Sequence, residues 1–368
     1  MYGRFLRRIK HDLLNMRIGI YKDTLANKRG ADVAVLALAE GLRERFGGRS
    51  CELGVVCGEV VVFEKNDFEK RIKEPWDLVI STGTNELLDL YNHFKDNSTR
   101  STRSARSLFP LPVIQQFHTN PKSQFKWKRI VRNWKIRRAL RCVSAIQVLS
   151  EKFVPHVEKY GVPVHVIGNW SKFSSELRVT HNSQLPIIIY PAAFAKGKNQ
   201  KLLIEAFAKV AAKFPEWRLR LLGRIDGRYA EDCQRLVAAM GGTGFVHPRI
   251  EFPGFCEDMA AEYAQCAFVA FPSVDEGFGL VVADAAAFAK PCVMVKDWIG
   301  TAKSGGGIMT RPTVAAYAEG LRRLMADAEL RRTLGRAAQS FCAEHYSRET
   351  ILDKWELLLA DTVPDYHV

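Results

Sequence analysis

The residues best suited to chemistry stand in the run EGFGLVVAD, from Glu276 to Asp284. Two carboxylates eight positions apart bracket Gly277 and Gly279. Such glycines let a backbone turn sharply and come close to a ligand. The apolar run 267–271 before them reads as a buried strand, and 280–289 after them as a helix stopped by Pro291. A helix starting there offers unpaired N–H groups and the positive end of its dipole, a natural seat for phosphate. Glu276, in the loop, can reach polar groups above the helix end. Asp284, one turn into the helix, can take hydroxyls on the other side. A phosphate flanked by two hydroxyl-binding carboxylates is what a nucleotide-sugar site requires.

Two other readings share these residues. The stretch could be a strand, loop and helix that bind nothing. It could also be a dinucleotide fingerprint of an NAD-dependent oxidoreductase, with Gly277-Phe278-Gly279 opening a helix and Asp297 ending the next strand close to the expected spacing. The third glycine of that fingerprint would fall at Val282, whose branched side chain spoils close helix–strand packing.

EGFGLVVAD resembles the E-x7-E signature of retaining glycosyltransferases of family four, which have the GT-B fold. The resemblance implies that Glu276 contacts the donor sugar and that the second carboxylate holds the ribose hydroxyls. Gly277, Phe278, Gly279 and Leu280 would form the donor loop, with the Gly279 and Leu280 amides meeting the phosphates. Asp284 stands where the family usually has Glu, which draws the carboxylate back by about 1.5 Å, one carbon–carbon bond.

The elements that must hold this loop follow from the rest of the chain. Its 368 residues are 47% hydrophobic and 26% charged, an ordinary globular balance long enough for two domains with separate cores. No apolar run approaches the length of about 20 residues that a membrane span needs. Eight cysteines stand singly with no C-x-x-C pair, so neither a zinc site nor a disulfide framework is indicated. The reading is a reduced, cytoplasmic protein. Net charge is +14 and unevenly spread: between Lys95 and Arg141 there are thirteen Lys or Arg and one acid, Asp96. That block implies an anionic partner.

In the first half, 16–21 reads as a strand and 31–45 as a helix whose apolar face carries Val33, Leu36, Ala37, Leu42 and Phe46. The segment RGADVAVLALAEGL is similar to the family's first loop, and the resemblance implies that Gly30 lies close to the donor phosphates and acceptor. Further strands are expected at 53–56, 60–63, 78–81 and 113–117. His118 stands at the carboxyl end of the last, where open parallel sheets bind ligands. The family often has a His at this place, near the reacting carbon.

Residues 122–141 hold nine basic side chains and no acid, interleaved with Trp127, Ile130, Val131 and Trp134. This is either a core helix with a solvated basic face or a surface helix on anionic lipid, with Lys126, Arg129, Arg132, Lys135, Arg137 and Arg138 facing membrane or acceptor. The basic segment 1–15 could join it. No nucleic-acid-binding module is visible, so no nucleic acid is expected as partner. Strands at 143–150 and 164–169 and a Ser-rich linker at 171–184 close this half.

A new strand at 186–190 and a helix at 199–214 begin the second domain near Leu185. Between them lies PAAFAKGKN. The family places an arginine and a lysine here, both on the donor diphosphate; the resemblance puts Lys198 on the lysine and Ala193 on the arginine. Loops near Gly223 and Phe255 would line the base. Ser304-Gly-Gly-Gly307 lacks the Lys-Ser/Thr of a phosphate loop and reads as a flexible turn.

The sequence thus predicts an α/β chain of GT-B type, two doubly wound Rossmann-like domains facing a cleft: a segment 1–15, a first domain 16–175 rejoined by a helix at 348–368, and a second domain 185–347. The implied function is retaining transfer of a hexosyl group from a UDP- or GDP-type donor to a lipid-linked or phosphorylated glycan, in lipopolysaccharide-like cell-surface polysaccharide biosynthesis. His118, Glu276 and Lys198 would be catalytic. No metal or cofactor is expected, and the place is the inner face of the cytoplasmic membrane. The alternative is a binder of nucleotide-sugars that has kept the fold without catalysis.

Overall fold

The computed structural model describes residues 17–22, 30–46, 59–97, 109, 111–118, 121, 130–173, 185–240 and 249–362. The segment 1–15, the strand expected at 53–56, the side chains of Lys126 and Arg129 and most of the linker lie outside the described residues. The chain divides into two compact units, residues 1–169 with 348–368 and residues 170–347.

The first unit is a parallel sheet of β1 (Arg17–Tyr21), β2 (Glu59–Phe63), β3 (Leu78–Ser81), β4 (Val113–Phe117), β5 (Ala145–Val148) and β6 (Val164–Val166), in the order β2-β1-β3-β4-β5-β6. β3, β4 and β5 are buried along their whole length, as covered parallel strands are, although Gln115, Gln116 and Gln147 interrupt the apolar runs of β4 and β5. The direction of winding reverses between β1 and β3, and ligands of such sheets sit at the carboxyl ends beside that reversal. Helices α1 (Gly30–Phe46), α2 (Thr84–Asn97) and α3 (Ile130–Ala139) belong to this unit.

The α1 face differs from expectation. Val33 and Leu36 are exposed, while Asp32, Val35, Leu38, Ala39 and Leu42 are buried. Two stripes at helical spacing overlap in this sequence, and the one carrying Val35, Leu38 and Leu42 is the one turned inward.

The second unit repeats the plan with β7 (Ile187–Pro191), β8 (Arg218–Leu222), β9 (Ile250–Gly254), β10 (Phe268–Phe271), β11 (Cys292–Met294) and β12 (Gly307–Met309), in the order β12-β11-β10-β7-β8-β9, all parallel. Its reversal falls between β10 and β7. Its helices are α4 (Gln200–Ala211), α5 (Gly227–Met240), α6 (Met259–Gln265), α7 (Leu280–Ala287), α8 (Val314–Ala326) and α9 (Ala328–Tyr346). The last helix, α10 (Arg348–Thr362), belongs to the first unit, where Trp355 is buried and Arg45 Nε donates to Glu356 Oε2 at 2.9 Å.

α7 stops two residues earlier than Pro291 predicts. Ala289 turns into the left-handed region (φ 51°), the Lys290 amide donates to the Ala285 carbonyl and the Ala289 amide to that of Ala286. This pattern ends a helix by satisfying its last carbonyls. Gln339 Nε2, on α9, takes the Ala287 carbonyl at 3.1 Å. The turn at 304–307 is likewise less free than expected: a Cβ at Gly306 would stand 2.6 Å from Ala338 Cα, so this glycine is there for close packing, and Gly307 opens β12.

α9 approaches α7 so closely that a Cβ at Gly335 would lie 2.0 Å from the Ala289 carbonyl oxygen. Gly335→Ala should therefore destabilise the second unit by about 1–3 kcal/mol, the usual cost of overpacking. Denaturant unfolding of the full chain measures it; an unchanged midpoint contradicts this packing.

Candidate functional site

The loop after β7 and the loop after β10 emerge on either side of the reversal in the second sheet, and a set of hydrogen bonds ties them together. The Val274 amide donates to the Gly197 carbonyl at 2.9 Å and Ser273 Oγ to the same oxygen at 3.2 Å. Tyr190 Oη, from the end of β7, donates to the Lys198 carbonyl at 2.8 Å. Gln200 Nε2 holds the Ala193 carbonyl at 2.9 Å. Asn199 turns the chain into α4 at φ 58°, a conformation that Asn tolerates better than most residues.

This clamp brings Lys198 and Glu276, 78 positions apart, into direct contact: Nζ to Oε1 is 2.6 Å. Glu276 is the more enclosed of the two, its side chain 12% exposed against 29% for Lys198. Burial, with the Glu276 carboxylate nearby, pushes the Tyr190 hydroxyl well above its ordinary range. Gly279 then starts α7 at φ 97°, a value that only glycine reaches without strain, and a Cβ there would also meet Trp298 at 3.4 Å. Phe278 is buried, its ring edge-on to Tyr346 with centroids 5.1 Å apart. The amides that open α7 have no partner inside the helix. The result is a lysine, a glutamate and a helix N-terminus gathered at the carboxyl end of the sheet.

Asp284 lies one turn into α7 and accepts from Ser171 Oγ at 2.7 Å. Burial raises its carboxyl to about 6, against the smaller opposing effects of the Ser171 hydrogen bond and the Lys172 charge. Phe173 packs edge-on against Phe288 and Tyr263, fixing this stretch of chain. Asp297, the acid that a dinucleotide reading would assign to ribose, spends its oxygens on the amides of Gly300 (2.8 Å) and Lys303 (3.1 Å).

In the first unit, His118 stands at the end of β4 with both ring nitrogens buried and without a hydrogen-bond partner among the described residues. Burial pushes its imidazole down to about 3, and the Lys22 ammonium acts in the same direction. Lys22, at the end of β1, meets Glu86 Oε1 at 3.2 Å and Asp32 Oδ1 at 4.0 Å. Both acids are buried. Gly30 opens α1.

The basic residues divide. Arg132 Nη2 donates to Thr84 Oγ1 (3.1 Å) and Asn85 Oδ1 (2.7 Å), and Lys135 Nζ to Asn92 Oδ1 (3.3 Å), so these two tie α3 to α2. Arg137 and Arg138 are exposed.

Four features of these sites escape sequence reasoning. Ser171 reaches Asp284 across 113 positions and Lys22 reaches Glu86 across 64, with no local signal for either. Lys296 Nζ donates to the Val274 carbonyl at 2.8 Å and lies 5.2 Å from the Trp298 ring centre, adding a second cation beside the loop that carries Glu276. Arg224 lies over the exposed Phe255 ring at 5.4 Å. Only the last pair, flanking loops already singled out, could have been sought from the sequence.

Residues 185–327 match the family described as Glycosyl transferases group 1. An exopolysaccharide phosphotransferase of Streptomyces coelicolor is 30% identical over 182 residues, 48% of this chain and 19% of its own. A D-inositol 3-phosphate glycosyltransferase of Nocardioides is 27% identical over 210 residues, 52% of this chain and 46% of its own. The chain thus spans less than half the length of either curated relative. Among solved structures, Anabaena HepE in complex with UDP and glucose is similar at a TM-score of 0.70 and 18% identity, over 94% of this chain and 100% of that one. The paired Rossmann-like units are the architecture of GT-B proteins.

Two outcomes follow from the electrostatics. Asp284 has its carboxyl raised in the fold, so its contribution to stability is full below pH 4 and is lost as pH rises through about 6. Asp284→Asn, which can still accept from Ser171, should be more stable than the parent by about 1–3 kcal/mol above pH 7. Unfolding followed across pH 4–8 should show the difference shrinking toward acid; a constant difference counts against the buried carboxyl. His118 is held neutral, so its ring signals in an imidazole-detected NMR titration should not shift between pH 5 and 8.

Proposed function

We propose that the protein is a retaining glycosyltransferase that moves a hexosyl group from a UDP- or GDP-type nucleotide-sugar to a glycan acceptor in cell-surface polysaccharide synthesis. The observation that carries the reading is the Lys198–Glu276 pair, set by the loop clamp beside the α7 N-terminus.

Without a donor the two charges satisfy each other. A donor diphosphate offers Lys198 a stronger anion and takes the free amides at Gly279 and Leu280, and the donor sugar offers Glu276 its hydroxyls in exchange. The exchange leaves no buried charge unpaired at any stage, which is what makes it cheap. In the transfer, the bond from the anomeric carbon to the leaving phosphate oxygen breaks and its electron pair stays with the diphosphate. The acceptor hydroxyl attacks on the same face, and its proton passes to the departing phosphate oxygen. Charge accumulates on the diphosphate, where Lys198 and the helix end stabilise it, so neither a metal nor an organic cofactor is called for. Asp284 would hold ribose, the Gly223 and Phe255 loops would line the base, and Gly30 would approach phosphates and acceptor. His118, neutral and with its nitrogens unsatisfied, is suited to hydrogen-bond a sugar hydroxyl near the reacting carbon.

The acceptor we propose is a lipid-linked or phosphorylated glycan, handled at the inner face of the cytoplasmic membrane. The relatives named for an exopolysaccharide and for inositol phosphate support an acceptor of that kind. A second reading, a binder without turnover, is favoured by Ala193, which leaves the diphosphate without the arginine of similar proteins, and by the engagement of Asp284 with Ser171.

Nucleotide release from UDP- and GDP-sugars tests the choice. Lys198→Ala and Glu276→Ala should each lower kcat/KM by about 100-fold or more, the scale of losing a group aimed at developing charge. Tight donor binding with no release under any acceptor would establish the binder instead.

A further inference from the structure

We propose that the exposed face of α3 is a docking surface for an anionic lipid bilayer; the inference deepens the membrane reading above by assigning the residues that make the contact. Successive side chains on a helix are about 100° apart. On that spacing Ile130, Val131, Trp134, Arg137, Arg138 and Arg141 share one arc of about 120°. The opposite side, Asn133, Ile136 and Ala139, is buried in the unit. Lys135 lies between the two and Arg132 on the buried side, and both are committed to α2.

The outward arc is therefore not a solvated face. Ile130 is 76% exposed, Val131 70% and Trp134 54%. These are among the larger exposed apolar side chains of the described residues, and they stand together in one turn. Core packing is supplied by Ile136, Ala139 and Leu140, so among the described residues the stripe is left outside the core.

Its chemistry changes along the axis. The amino-terminal turn is apolar, and the carboxyl-terminal turn presents the exposed Arg137, Arg138 and Arg141, with Arg138 lying 5.6 Å from the Trp134 ring centre. Apolar groups that enter an acyl boundary, an indole at headgroup depth and guanidinium groups that meet phosphate are the three components of interfacial binding. A protein partner would satisfy the apolar turn but gives no reason for a row of arginines beside it. The charge complement points to a lipid phosphate surface. The arginines also sit in the part of the chain where Lys and Arg outnumber acids thirteen to one between Lys95 and Arg141.

The test is co-sedimentation of the full chain with phosphatidylcholine vesicles, with and without phosphatidylglycerol. The parent should bind only the anionic vesicles, and binding should weaken with added salt. The triple variant Ile130→Ser, Val131→Ser, Trp134→Ser should bind about tenfold more weakly or worse. Arg138→Gln with Arg141→Gln should lose roughly thirtyfold, two charges at the value expected for each near a membrane. All five substituted positions are exposed, so unfolding midpoints should not change, and neither readout depends on donor chemistry. Binding that both variants retain overturns the proposal. So does a parent that sediments as a dimer while the triple variant is monomeric, because the face would then be a contact between copies.

Discussion

The structure of the second unit depends on how two loops, issuing from β7 and β10 on either side of the sheet's reversal, are fastened to each other. One carbonyl, that of Gly197, receives both the Val274 amide and the Ser273 hydroxyl. Side chains that would otherwise be separated by most of a βαβ unit are set within hydrogen-bond reach by that single acceptor. Close packing here demands a glycine at one point: a Cβ at Gly223, in the next loop, would lie 2.2 Å from the Ala192 carbonyl oxygen, whereas one at Gly197 would make only an ordinary contact with Asp275 at 3.5 Å. Gly223 therefore answers to loop-on-loop packing as much as to any ligand.

A buried or half-buried ion pair is weak evidence for stability, since desolvation offsets most of the attraction. The Lys198–Glu276 contact makes better sense as storage. In the proposed function Lys198 meets a diphosphate and Glu276 a hydroxyl array, and Glu276, with its side chain 12% exposed, would be costly to leave without a partner. Pairing gives each a partner until then. The first unit repeats the device in a different form: Lys22 is neutralised by Glu86 and Asp32, and His118, next to that cation, is kept uncharged by burial.

How much of this was legible in the sequence follows from where the information sits. Covered parallel strands are mostly apolar runs, so β3 and β10 could be bounded almost to the residue. The donor loop was legible because its chemistry is local: two glycines, an acid and a helix start lie within nine residues. α1 was not, because Leu36 and Leu38 each belong to a plausible stripe and only the sheet decides between them. The α7 terminus was misplaced because Ala289 takes a conformation usually left to glycine, which its residue type does not signal. Contacts such as Ser171–Asp284 are set by topology alone.

Ala193 stands where the resemblance drawn from the sequence would place an arginine, and the arrangement of charge around the loop that carries Glu276 bears on it. An arginine there would add a forked, permanently charged group to a site already holding Lys198 and the helix end. In its place the chain has Lys296, anchored through the Val274 carbonyl to the same loop that carries Glu276. It arrives from β11 rather than β7, and its stem lies along Trp298, whose Cβ also limits the space at Gly279. Positive charge beside this loop therefore comes from two strands, with Lys198 after β7 and Lys296 after β11.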